Sequence, residues 1–257
     1  MKVDNEKLGK TKNTELKVVD DVLEGIIWSE GVAGSKIWMG SILVKSKVKS
    51  NAQHHETSDT VHYVLKGKAT FYYGEQYKET ACLNEGDFIY IPPYHSYKFE
   101  NSKESDELHI ITTMTPVFKI SYLDKNETIS INSEENKEAK ISVIRSAELD
   151  NSTDQTKNMP RKTAVQVTNL WIGRVTGEVG MDSGKHHHGE SETVGFIISG
   201  TTNLLYGEGY RSYVQYKPGD YLRVPLYLPH IEQNPSESET VEFLTARNPE
   251  NIVVNIK

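Results

Sequence analysis

Cysteine is almost missing from this chain: Cys82 is the only one in 257 residues. It can form no internal disulfide, so nothing in the sequence demands an oxidising compartment. Basic charge is also in short supply. Lys and Arg number 29 against 36 Asp and Glu, a net charge of −7 with a pI near 5.8, which argues against nucleic acid or an anionic membrane as partner. No apolar run approaches membrane-spanning length, and the opening MKVDNEKLGKTKNTELK lacks the apolar core of a signal peptide. The expected location is therefore cytoplasmic. Long amphipathic helical stretches, P-loops and dinucleotide fingerprints are absent as well. What is plentiful is tyrosine, 14 residues, with Gly and Pro recurring at short intervals. That composition leans towards β-structure.

The chain repeats itself. KIWMG (36–40) aligns with NLWIG (169–173), HHETSDTV (54–61) with HHGESETV (187–194), YGE (73–75) with YGE (206–208), and EGDFIYIPPY (85–94) with PGDYLRVPLY (218–227). Every pair is offset by 133 residues. One register held without a gap marks two copies of one module. Each copy reads as short strands split by Gly-rich or Pro-Gly turns, which predicts an all-β sandwich or closed barrel. The expected layout is an N-terminal extension (1–20), a first module (21–120), a polar linker (121–140) and a second module (141–257), with ISVIRSAELD (141–150) as the second module's lead-in strand.

The second copy carries three consecutive histidines. Residues i and i+2 of a strand share a face, so His186 and His188 point together while His187 points away. Two imidazoles on one face supply part of a first-row metal site. His230, in VPLYLPHIEQN, is the candidate third ligand. Arg174 and Arg223 are candidates for holding an anionic substrate, with a surface ion pair as the alternative for both. Cys82 reads as a small buried thiol, and Trp38 and Trp171 as packing residues at equivalent repeat positions.

These residues resemble the motifs of the cupin superfamily. His186 and His188 followed by Gly200 match its first motif, and Gly219, Pro225, His230 and Asn234 match its second. The second half is also similar to a group of bacterial cupins with HHHGExET, QTxxMxR upstream and VVNL near the C-terminus; here QTKNMPR spans 155–161 and VVNI 253–256. The resemblance implies two tandem jelly-roll barrels, a bicupin, and one divalent transition metal per chain (Fe, Mn, Ni or Zn). One departure stands out. Thr193 occupies the place of the family's glutamate ligand, and a neutral hydroxyl is a poor ligand. Glu192, one residue earlier, is a possible fourth ligand through a small bulge. Three histidines plus Glu192 would resemble a manganese, iron or nickel cupin centre; three alone would resemble thiol dioxygenases. Thr193 itself falls in the expected substrate pocket.

Subtracting 133 from the ligands gives Gln53, His55 and Tyr97, with Thr60 opposite Thr193. This pocket should not hold a metal by the same geometry. It is either a structural remnant or an altered pocket to which His62 and His109 also contribute. The resemblance implies a metal-dependent enzyme acting on a small polar metabolite, with oxygenase chemistry first and isomerase, lyase or decarboxylase chemistry second. A non-catalytic sensor or sugar-binding bicupin is the competing class. The partner is a small molecule, with neither nucleic acid nor membrane, in a monomer of paired barrels or a homodimer.

Overall fold

The structure is a computed structural model and describes residues 7–101, 107–124, 139–153 and 155–257. Most of the expected linker, 125–138, and the first six residues of the N-terminal extension lie outside the described residues. Those described are almost entirely strands and tight turns, and the fold is two double-stranded β-helix barrels in tandem. None of their helices is long and apolar enough to cross a membrane.

The same turn chemistry builds both copies. Gly86 and Gly219 each sit at φ +90°, the third position of a type II turn, where a side chain would be strained. Asp87 and Asp220 close these turns by accepting the backbone N–H of Asn84 (3.0 Å) and Lys217 (2.9 Å). Each turn delivers the chain into a buried strand, Phe88–Ile91 or Tyr221–Val224.

Each barrel has a seven-stranded sheet in the same order. The first runs Ser142–Ile144, Phe88–Ile91, Asp59–Lys66, Glu107–Thr115, Trp38–Lys45, Ile26–Ala33, Lys17–Asp20. The second runs Gly9–Thr11, Tyr221–Val224, Glu192–Ser199, Val241–Asn248, Leu170–Gly177, Arg161–Val167, Asp150–Thr153. Smaller sheets close the other side. In the second barrel this is one five-stranded sheet that includes His186–His187, His230–Gln233 and Val254–Asn255.

The edge strands depart from expectation. Ser142–Ile144, read from the sequence as the second module's lead-in, pairs with Phe88–Ile91. Its counterpart Gly9–Thr11, 133 residues earlier, pairs with Tyr221–Val224. The two compact units accordingly divide as 17–30 with 38–148, and 149–257 with 7–16 and 31–37. Ion pairs fix both edges: Arg145 meets Asp87 at 2.7 Å, and Lys10 meets Asp220 at 2.8 Å.

The units have separate cores. In the first, Trp28, Phe71, Tyr97, Phe99 and Met114 fill the barrel; in the second, Trp171, Leu204, Tyr216, Leu222 and Phe243 lie at its heart. Cys82 corrects the sequence reading, because it is exposed on the outer face of Glu79–Leu83.

Candidate metal centre

Four side chains converge inside the second barrel. His186 and His230 face one another across adjacent strands in direct register, with ring centroids 4.4 Å apart. His188 follows the strand His186–His187, its ring centroid 5.1 Å from His186 and 4.9 Å from His230. Glu232 lies two residues beyond His230, hence on the same strand face. The four ligand atoms all lie within 4.8 Å of one another, and all four residues are buried.

The backbone sets the tautomers. Nδ1 of His186 lies 3.2 Å from the Gly184 carbonyl, that of His188 3.0 Å from Ile252, and that of His230 2.9 Å from Leu228. A carbonyl only accepts, so each Nδ1 carries the proton and each Nε2 keeps its lone pair. Those lone pairs and the Glu232 carboxylate point at common ground. Nε2 of His186 is 3.2 Å from one carboxylate oxygen and Nε2 of His230 is 3.6 Å from the other. The Nε2 atoms of His186 and His230 and Oε2 of Glu232 are buried without a hydrogen-bond partner, at a cost of about 1–3 kcal/mol each. Two donors about 2.1 Å from a shared ion stand about 3.0 to 3.4 Å apart at octahedral or tetrahedral angles. The donor chemistry suits a first-row divalent metal, with the 3.2 Å separation inside that range and the 3.6 Å one just beyond it. Burial drives the His186 imidazole down to about 4, keeping it neutral as a ligand must be. Burial opposes the charge on Glu232, while positive charge on the surrounding imidazoles, whenever one of them is protonated, holds its carboxyl below the usual range.

Glu232, not Glu192, is the carboxylate of this cluster. Glu192 is bound elsewhere: its oxygens accept the backbone N–H of Ser35 (3.0 Å) and Lys36 (2.6 Å) and the Ser35 hydroxyl (3.1 Å). Gly34 packs so close that a Cβ there would come within 2.4 Å of Glu192. His187 is also a bystander with a task. Its Nδ1 accepts the Gly189 N–H (2.9 Å), as His54 accepts that of Glu56 (3.0 Å) 133 residues earlier. The repeat retains this histidine for the turn, whether or not a metal site follows.

Arg174 and Arg223 do not face the cluster. Cross-strand register puts them with Leu244 and Val194, on the sheet face opposite Thr193 and Arg247. Arg174 is paired with Glu242, and Arg223 lies 3.8 Å from Glu192. Thr193 does face inward, where its hydroxyl accepts from Nε of Arg247 at 3.3 Å. Two buried arginines lie in this barrel, Arg247 beside the cluster and Arg161, 1% and 3% exposed. Arg247 lies over the Trp171 ring, donates to Asn251, and holds Nη2 3.4 Å from Nε2 of His188. Arg161 is gripped by Gln155 (3.2 Å) and Thr156 (2.5 Å) of its own QTKNMPR segment. Among the described residues no carboxylate forms an ion pair with either guanidinium. Glu232, Arg247 and Arg161 lie outside the motif positions that single out the other site residues. Their counterparts Phe99, Met114 and Trp28 would have exposed them as places where one copy is charged and the other apolar.

In the first barrel the phenol oxygen of Tyr97 sits at the centre of the equivalent constellation. It lies 2.7 Å from Nε2 of His55, 2.7 Å from Nε2 of His62 and 2.9 Å from the Gln53 amide nitrogen. The protons balance with every group neutral. His55 donates from Nδ1 to the Lys119 carbonyl, so its Nε2 accepts the phenol proton. Tyr97 then accepts from His62 and Gln53, and the bare Nδ1 of His62 accepts from Thr112 (2.8 Å). Thr60 and His109 stand outside this network; Thr60 turns to the Ser58 carbonyl, and His109 lies at the bulged register beside Leu43 and Lys66.

The comparisons with known proteins agree with this architecture. Residues 42–114 match the Cupin_2 (cupin domain) family model. No curated protein matches the chain. Among solved structures, oxalate decarboxylase from Bacillus subtilis at pH 4.6 is similar over 96% of this chain and 78% of its own, at 13% identity and a TM-score of 0.72. The formate complex of Lactobacillus farciminis oxalate decarboxylase is similar over 98% of this chain and 89% of its own, at 11% identity and a TM-score of 0.73. Residues 42–114 are thus a cupin domain, and the second barrel repeats its topology, with histidines in the pattern that resembles the cupin motifs.

Proposed function

We propose that this protein is a metal-dependent enzyme acting on a small carboxylic acid, with its chemistry confined to the second barrel. The observation that carries the reading is the convergence of four buried donors, His186, His188, His230 and Glu232. One divalent transition metal per chain would be held there, supplying a Lewis acid with coordination positions left for a substrate. The protein's part is to hold three imidazoles in one tautomer, exclude water, and present Arg247 and Thr193 beside the ligand. The first barrel contributes no second centre, since Tyr97 fills the corresponding point.

A decarboxylase or other lyase is the favoured reaction class, ahead of an oxygenase. The oxygenase expectation leaned on the habits of the resembled family and on Thr193 in place of its glutamate, whereas Glu232 supplies a carboxylate as fourth donor. The decarboxylase neighbours point the same way, through fold likeness alone. Elemental analysis of the purified protein beside His186→Ala, followed by CO₂ and O₂ measurements over a panel of small carboxylic acids, tests the reading. Stoichiometric metal lost in the variant, with CO₂ released and no matching O₂ uptake, is expected. Absence of metal from protein supplied with it overturns the proposal, and O₂ consumed in step with product moves the enzyme to the oxygenase class.

A further inference from the structure

Arg247 puts a fixed positive charge beside a cluster built for a cation. Its Nη2 stands 3.4 Å from Nε2 of His188, one of the donor atoms. The guanidinium cannot swing away: Trp171 lies against its face, Thr193 accepts from Nε, and Asn251 accepts from Nη1. Arg161, also buried, adds a second cation to the same barrel. Glu232 is the only acid in the cluster, so a bound dication would leave the interior with a surplus of positive charge. Buried charge of one sign calls for a counter-ion. The repeat shows that the fold does not require this arginine, since the first barrel has Met114 at the same position.

We propose that Arg247 couples two binding events, so that the metal and a small oxyanion bind as a pair. Rigidly held, Arg247 opposes the metal while the oxyanion position is empty and bridges to the oxyanion once it is filled. Each ligand then raises the affinity of the other by the same factor, as linkage requires. The ligand class is a carboxylate small enough to span from the metal to the guanidinium. This rests on the four-donor metal reading and adds to it an order: the tight state is the ternary one.

The test needs no turnover. Co(II) affinity of the full-length protein is measured by chelator competition, in formate and in chloride at equal ionic strength. The wild type should bind Co(II) more tightly in formate, on the order of tenfold. Arg247→Met should bind Co(II) more tightly than wild type in chloride and show no response to formate. Arg247→Lys, which keeps the charge, should retain part of the response. Equal wild-type affinity in the two salts overturns the coupling, and that comparison stands even if a variant fails to fold. A formate response undiminished in Arg247→Met also overturns it, placing the effect on the metal alone. Wild-type protein that binds no Co(II), or His186→Ala that binds it equally well, brings down the metal reading itself.

Discussion

Nε2 of His55 receives the phenol proton of Tyr97 across 2.7 Å, and this bond needs an unprotonated imidazole. Burial, the dominant influence, lowers His55 to about 4 and takes His62 well below its ordinary value. In the unfolded chain both titrate near 6.5. A histidine whose folded value is depressed stabilises the protein fully above the unfolded value and loses that contribution as pH falls through the window. Stability should therefore decline from about pH 6.5 towards 4, by about 3 kcal/mol at pH 4 for His55 alone. Thermal melts of wild type and His55→Gln across that range check this, with a shallower slope expected in the variant.

Tyr97→Phe removes the oxygen that three groups share. It leaves His55, His62 and Gln53 with unmet polar atoms in a sealed interior, each costing about 1–3 kcal/mol. A loss of several kcal/mol in denaturant unfolding is expected, with metal content unchanged. Lost metal in this variant would contradict the assignment of the chemistry to the second barrel.

Glu232 and Glu192 can be separated by paired variants. Glu232→Gln weakens metal binding, by tenfold or more on the scale of one lost charged ligand. Glu192→Gln leaves metal affinity alone and lowers stability by about 1–3 kcal/mol, since its carboxylate accepts from the Ser35 and Lys36 backbone. Metal titration together with a melting curve on each variant distinguishes the two roles.

His187→Ala should keep full metal stoichiometry, while His188→Ala loses it. Only His188 offers Nε2 to the cluster; His187 spends Nδ1 on the Gly189 turn. Equal losses in the two would mean that the triplet works as a whole.

Much of this was legible in the residues because a repeat is a measurement. A constant 133-residue offset fixes strand equivalence without any knowledge of pairing, and the two-residue period separates His186 and His188 from His187. Parity fails elsewhere for a physical reason. Glu192 neighbours the inward Thr193, so it faces the opposite way, and no bulge at that point redirects it. Arg174 and Arg223 share that outward parity, which could not be read without knowing which residues pair. Residue type alone does not single out the buried arginines, because arginine is ordinarily a surface residue; their meaning lies in the contrast with Trp28 and Met114.

The edge strands Gly9–Thr11 and Ser142–Ile144 bear on where the chain can be divided. Each is the same segment of the repeat, and each completes the sheet of the copy to which it does not belong by sequence. Either copy cut off by itself would leave that sheet edge unpaired and exposed to self-association. Each barrel is therefore complete only with a strand that the sequence repeat assigns to the other copy, and a cut between the copies would open both sheets at once.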